Sequence, residues 1–302
     1  MIMKAVETYL SVRRAAGFEL EVPEYLLRSF ARFASEYGQT HVTTRTTIDW
    51  ASLAPTISQK AHRYNTVLRF ARHAQLEDSQ HEVPPKGIFG NQKKRRSPFI
   101  FTQNELDNLL LAACRLHPID SIRPHTYSTL FALLACTGLR ISEALNLMLD
   151  DITLDGLVIR DTKFKKSRLV PLHKTAQIGI AKYLEHRNNF PTDERHIFLS
   201  IYSSALTRSA VQWTFRKIIK TIGLEPEPGG GRRPRIHSLR HSFACRAIAT
   251  YQKEHENIDR QMVALSTYMG HTNISDTYWY LESTPELMHN ISTKCEIFWQ
   301  GD

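Results

Sequence analysis

The 302-residue chain has only four cysteines, Cys114, Cys136, Cys245 and Cys295, and no two of them form a CxxC pair. That scarcity excludes a disulfide scaffold and a cysteine-based zinc site, and it fits a reducing cytoplasm. Cys136 and Cys245 lie in apolar helical runs and are expected to be small core residues. No apolar run approaches the roughly 20 residues that a membrane span needs. The opening stretch MIMKAVETYLSVRRAAG carries charges where a signal peptide has an uninterrupted apolar core. There is no Gly-x-x-x-x-Gly-Lys loop for a nucleotide and no acidic cluster for magnesium, so neither a cofactor nor a metal is expected. His237 and His241 have the i, i+4 spacing of a zinc pair, but the glutamate that zinc hydrolysis requires is missing.

What the chain does have is positive charge in three places. Residues 84–101, 160–174 and 229–246 each carry a net charge of +5, which leaves the remainder of this +9 chain at −6. Cationic runs on an otherwise acidic body point to a localised polyanion site. The cations concerned are Lys93, Lys94, Arg95 and Arg96 in the first run, Lys165, Lys166 and Arg168 in the second, and Arg232, Arg233 and Arg235 in the third. Solvated surface is the ordinary alternative for any single run.

The first 80-odd residues read as four helices: Met3–Ala16, Pro23–Tyr37, Thr46–Leu53 and Ser58–Gln75. Gly17 and Gly38 stop the first two, and Ser58 is positioned to cap the fourth. Residues 80–98 hold three prolines, two glycines and Lys-Lys-Arg-Arg, which reads as an extended linker able to follow a phosphate backbone. A second domain opens with the capping box Thr102-Gln-Asn-Glu105. Asp151–Leu172 alternates apolar and polar residues around turns at Gly156 and Lys163–Ser167, the pattern of a small antiparallel sheet. Helices are expected before it and after it, through Asp259–Met269, Ile274–Leu281 and Pro285–Trp299.

Five features carry potential chemistry. His237-Ser-Leu-Arg240 follows a Gly/Pro loop, so it sits at a helix N-terminus, where backbone N–H groups and the helix dipole favour an anion. Its two polar residues, at i and i+3, share a face. Arg140 stands at the edge of the apolar run Ala132–Cys136 and must be paired, by Glu143 or by a ligand. Lys163 lies near a hairpin tip, and a lysine with a lowered pKa is a suitable proton donor. His271 follows Gly270 at a helix end. Tyr278 and Tyr280 are two residues apart, so on a helix only one of them can face a given pocket. Each feature also has an ordinary reading: a surface HxxR, a structural Arg–Glu pair, a solvated hairpin, a histidine cap and a half-buried core tyrosine.

Their order and combination are more specific. Roughly residues 98–290 resemble the tyrosine recombinases, the phage-integrase family of site-specific recombinases. The resemblance rests on TGLRISEAL around Arg140, TKFKKSRLVPL around Lys163, HSLRHSFA around His237 and Arg240, and MGHTNISDTYWY around His271 and Tyr280. It implies that Arg140 and Arg240 hold the non-bridging oxygens of a scissile phosphate and that Lys163 protonates the leaving 5′ oxygen. His237 would hydrogen-bond the phosphate and help accept the tyrosine proton, and His271 would be the second pocket histidine. Tyr280 would be the nucleophile, and Glu143 would buttress Arg140. The implied architecture is α+β, mainly α with a small antiparallel β-sheet. A helical core-binding domain at 1–83 and a basic linker at 84–98 would precede a catalytic domain at 99–302 with a helical tail. The partner would be double-stranded DNA bearing specific recombination sites, engaged by a homotetramer in the cytoplasm without metal or cofactor. The run DTYWYLESTPEL looks like integrases of mobile elements. A type IB topoisomerase and a DNA-binding regulator that never cuts are the rival readings.

Overall fold

The computed structural model describes residues 2–90, 97–160, 167–226, 232–253, 258–271 and 273–283. The chain divides into two compact units, Met1–Arg96 and Ser97–Asp302. The first unit contains α1 (Ile2–Ala15), α2 (Glu21–Glu36), α3 (Thr44–Ser52) and α4 (Ile57–Glu77). Their apolar faces meet around the buried Phe30, Trp50, Tyr64 and Phe70, with the Phe30 and Trp50 rings edge-on at 5.4 Å. The α4 cap is Thr56 and not Ser58: Thr56 has an extended backbone, and its hydroxyl accepts the Gln59 N–H at 3.3 Å. The first part of the stretch expected to be an extended linker packs on this unit. The Tyr64 hydroxyl donates to the Pro85 carbonyl at 2.7 Å, and the Phe89 ring meets that of Tyr64 at 5.5 Å.

The second unit is built on α5 (Gln103–Cys114), α6 (Arg123–Thr137), α8 (Lys174–Arg187) and α9 (Arg208–Thr221). The capping box expected at Thr102 and Glu105 is formed. Helix α6 is apolar on most of its circumference and runs through the middle of the core, where Leu130, Phe131 and Leu134 are buried. It ends at Gly138, whose φ of +63° is the left-handed C-cap conformation. The short helix α7 (Ile141–Leu145) follows directly, then a single 3-10 turn. Strands β1 (Ile152–Thr153), β2 (Gly156–Ile159) and β3 (Arg168–Val170) form one antiparallel sheet, in which Leu157 pairs with Val170 and Ile159 with Arg168. The second hairpin turn lies outside the described residues.

Helices α10 (Ile236–Lys253), α11 (Ile258–Met269) and α12 (Ser275–Ser283) pack around a smaller core of Ala244, Ile248, Met262, Leu265, Met269 and Tyr280. Cys245 is buried there as expected, whereas Cys136 is exposed, because the last turn of α6 rotates that position off the core face. The expected helix Pro285–Trp299 lies outside the described residues. Among the described residues, no helix is long and apolar enough to cross a membrane.

Candidate active site

The corner between α6 and α7 sets the first cation. Arg140 is the residue before α7. Its backbone N–H donates to Glu143 Oε2 at 2.9 Å and its Nη1 to Glu143 Oε1 at 2.7 Å. Its Nη2 donates to the Gly270 carbonyl at 2.8 Å, which ties the corner to the end of α11. The buried Glu143 carboxylate also takes a two-pronged bond from Arg168, at 3.0 and 2.8 Å. Despite its burial, these cations and the Arg140 amide hold Glu143 at a pKa of about 2.

Helix α10 supplies the second cation. Arg240 is 2% exposed, and its guanidinium donates to the Gly138 carbonyl at 2.5 Å and the Met269 carbonyl at 2.8 Å. Both carbonyls belong to helix C-termini, where a cation is favoured. Two fixed acceptors leave little freedom in where this charge sits. His237 is in the first turn of the same helix and keeps an exposed edge. One turn on, the ring of His241 lies edge-on to that of His237 at 4.4 Å.

Helix α12 sends its two tyrosines to different partners. Tyr280 is 3% exposed, and its hydroxyl is 3.1 Å from His241 Nδ1. Tyr278 points elsewhere and donates to Asp259 at 3.1 Å. His271 stacks on the Tyr280 ring at 6.3 Å, with its Nδ1 2.6 Å from the Thr277 hydroxyl. Two residues of separation on a helix amount to about 200° of rotation, so these two side chains cannot share a pocket.

The charges here act on one another. Burial, then Arg240 and Arg140, push His237 down to about 4 and His271 to about 4. Burial, then His237 and Arg240, push His241 to about 3. All three imidazoles are therefore neutral at pH 7, and a neutral ring can accept a proton. Burial pushes the Tyr280 phenol up to about 12, against the pull of Arg240 and Arg140. Burial and Arg140 lower Arg240 to about 10, so it remains a cation. Two fixed guanidiniums, three neutral imidazoles and one phenol thus come together from the α6–α7 corner, α10, α12 and the turn after α11. This set could bind a tetrahedral anion and hand a phenolic proton to an imidazole.

Two sequence expectations change. Arg168, expected to contact DNA, gives its guanidinium to Glu143 and to the Tyr268 carbonyl at 2.9 Å, because β3 aims it into the domain. The ring within reach of the phenol is His241, which the sequence considered only as half of a zinc pair; His237 stands one turn further along. The i, i+4 repeat in HSLRH was the available signal. Arg232, Arg233 and Arg235 are exposed; Arg232 donates to the Pro98 carbonyl at 3.2 Å, and Arg233 is 3.7 Å from Glu225. Lys163, Lys165 and Lys166, and Lys93, Lys94, Arg95 and Arg96, lie outside the described residues.

Among the described residues, one group has the proximity of metal ligands: His41, Asp78 and His81 in the first unit. His81 Nδ1 accepts the Val42 N–H at 3.0 Å, which fixes the proton of the neutral ring on Nε2 and leaves it no lone pair for a cation.

Residues 100–286 match the phage integrase family. A relative in Sinorhizobium fredii, named "Putative integrase/recombinase y4rB", is 34% identical over 309 aligned positions, covering 98% of each chain. Tyrosine recombinase XerD of Listeria monocytogenes is 29% identical over 74% of this chain and 71% of its own. Among solved structures, XerH recombinase bound to a palindromic difH substrate superposes with a TM-score of 0.63 at 21% identity, covering 90% of this chain and 78% of that one.

Proposed function

The chain belongs to the phage integrase family and is a tyrosine-type site-specific recombinase, and we propose that Tyr280 is the residue that becomes bonded to DNA. The phenolic oxygen attacks the scissile phosphorus, an O–P bond forms, and the bond from phosphorus to the 5′ oxygen breaks. The phenolic proton passes to a neutral imidazole. His241 is within the ~2.6–3.2 Å reach a general base needs, and His237 stands beside it. Lys163 is assigned the proton that the leaving 5′ oxygen takes up. Arg140 and Arg240 hold the non-bridging oxygens and oppose the extra negative charge that develops at phosphorus. His271 lines the same pocket beside the phenol.

The 3′-phosphotyrosyl bond conserves the energy of the bond cleaved. A 5′-hydroxyl from another strand then reverses the step, so strand exchange needs no added energy source. Burial pushes the Tyr280 phenol up to about 12, so it is a poor nucleophile unless a base takes its proton and the arginines stabilise the phenolate. One observation carries this reading: Tyr280, and not Tyr278, lies against His241 and His271 and within electrostatic reach of Arg240 and Arg140. The partner we assign is double-stranded DNA with paired recombination sites, bound in the cytoplasm by a homotetramer. The exposed Arg232, Arg233 and Arg235, together with Lys93, Lys94, Arg95, Arg96, Lys165 and Lys166, are assigned to its backbone.

The test is a suicide substrate with a nick that traps the covalent adduct. Wild type and Tyr278→Phe form the adduct and Tyr280→Phe does not. An adduct that survives Tyr280→Phe, or vanishes in Tyr278→Phe alone, overturns the assignment. Absence of any adduct in wild type favours a regulator that never cuts. Relaxation of a one-site plasmid without recombination of two sites favours topoisomerase activity.

A further inference from the structure

Arg168 has no place in the reaction described above, yet its guanidinium bonds both to Glu143 and to the backbone beside His271. It enters from β3, donates through Nη1 and Nη2 to both oxygens of Glu143, and donates through Nε to the Tyr268 carbonyl. Its side chain is 14% exposed and that of Glu143 is 7% exposed. The backbone of Gly270 lies flat against it; a Cβ added there would come within 2.8 Å of Arg168 Nη1. The same glycine's carbonyl accepts from Arg140. Arg168 therefore joins three pieces that reach the site by separate routes: the sheet, the α6–α7 corner and the turn that carries His271.

The charge count is equally direct. Glu143 is one carboxylate between two guanidiniums, Arg140 and Arg168. The triad as a whole is +1. Without Arg168, the buried carboxylate would face Arg140 alone, and the pair would be neutral. Arg140 is the more exposed of the two cations, with a side chain 32% exposed.

We propose that Arg168 is a positioning and charge-balancing residue for the cleavage reaction: it neutralises Glu143, so that Arg140 keeps a net positive charge for the scissile phosphate. This rests on the reading of Arg140 as a phosphate ligand. The role differs from a contact with the DNA backbone, which would set affinity and its salt dependence and leave the rate on saturating DNA alone. It differs also from a purely structural brace, which removing a second charged residue could only weaken further.

The experiment uses the full chain and the nicked suicide substrate at saturating concentration, with DNA affinity and melting temperature measured alongside. Arg168→Met lowers the rate of adduct formation at least tenfold, with DNA affinity within about threefold of wild type. The double variant Arg168→Met/Glu143→Gln, which restores the +1 balance, recovers at least threefold over Arg168→Met alone. Arg168→Lys keeps the charge and stays within about fivefold of wild type, which secures the test should the methionine variant fail to fold. A double variant no faster than Arg168→Met, an Arg168→Lys as slow as Arg168→Met with normal folding, or a loss confined to affinity overturns the proposal. The wild-type adduct, abolished by Tyr280→Phe, is the separate control: its absence counts against the nucleophile assignment, and its presence confines any failure to Arg168.

Discussion

Gly138 ties the end of the central helix to Arg240, and replacing it tests that link quantitatively. Its φ is +63°, and a Cβ at this position would stand 2.5 Å from Cδ1 of Phe243 and 3.1 Å from two further ring atoms. A left-handed alanine costs about 1–2 kcal/mol. Phe243 is half-buried and stacks on Tyr268 at 5.7 Å, so its ring cannot swing away freely. Forcing it to move adds about 1–3 kcal/mol, the usual cost of overpacking. Gly138→Ala should therefore cost about 2–5 kcal/mol. Gly223 is the internal control, with φ +70° and nothing within 4 Å of an added Cβ. Gly223→Ala should cost only the backbone term, about 1–2 kcal/mol. For a domain of this size, 1 kcal/mol moves the melting temperature by about 2–4 °C. Calorimetry should find a drop near ~10 °C for Gly138→Ala and near ~4 °C for Gly223→Ala. The Gly138 carbonyl also accepts from Arg240, so adduct formation should slow in the first variant and not in the second. Equal melting shifts for the two variants would refute the packing argument. A destabilised Gly138→Ala that cleaves at the wild-type rate would refute the link to Arg240.

Three histidines with depressed pKa values also make stability depend on pH. Each prefers its neutral form in the folded state, so their contribution is fully present above the unfolded histidine pKa of about 6.5 and is lost as pH falls towards about 4. The melting temperature of the DNA-free protein should fall between pH 7 and pH 5, and His241→Gln should flatten that slope; an unchanged slope in the variant speaks against the assignment. Removing the imidazole from the phenol should also slow adduct formation, by about 100-fold if His241 is the proton acceptor. A His241→Gln rate within twofold of wild type at pH 7 returns that role to His237. Glu143→Gln leaves Arg140 and Arg168 sharing a neutral amide in a buried site. The expected result is a loss of melting temperature larger than that of Arg233→Gln, whose partner Glu225 is exposed.

Much of this was legible from the chain alone. Helix spans were readable because apolar residues recur at helical spacing, and boundaries because Gly138, Thr102 and Glu105 act through local backbone chemistry. The α4 cap was misplaced by two residues, since Thr56 and Ser58 are equally good caps until the backbone is known. The separation of Tyr278 from Tyr280 was likewise visible, because helix geometry forces it. Arg168 was misread for a different reason. In a run of Lys165, Lys166 and Arg168, nothing local distinguishes a cation facing solvent from one that β3 turns towards a carboxylate 25 residues earlier in the chain.

Helical periodicity and capping chemistry depend on neighbours within a few positions, and the order of the candidate residues is the primary structure itself, so the sequence by itself determined them. Which imidazole meets the Tyr280 hydroxyl, and which cation neutralises Glu143, depends on groups 39 and 25 residues apart. Those pairings exist only once α10, α12, β3 and the α6–α7 corner are packed together. The tertiary structure decided them because a hydrogen bond requires an approach of about 3 Å, and that approach is set by packing.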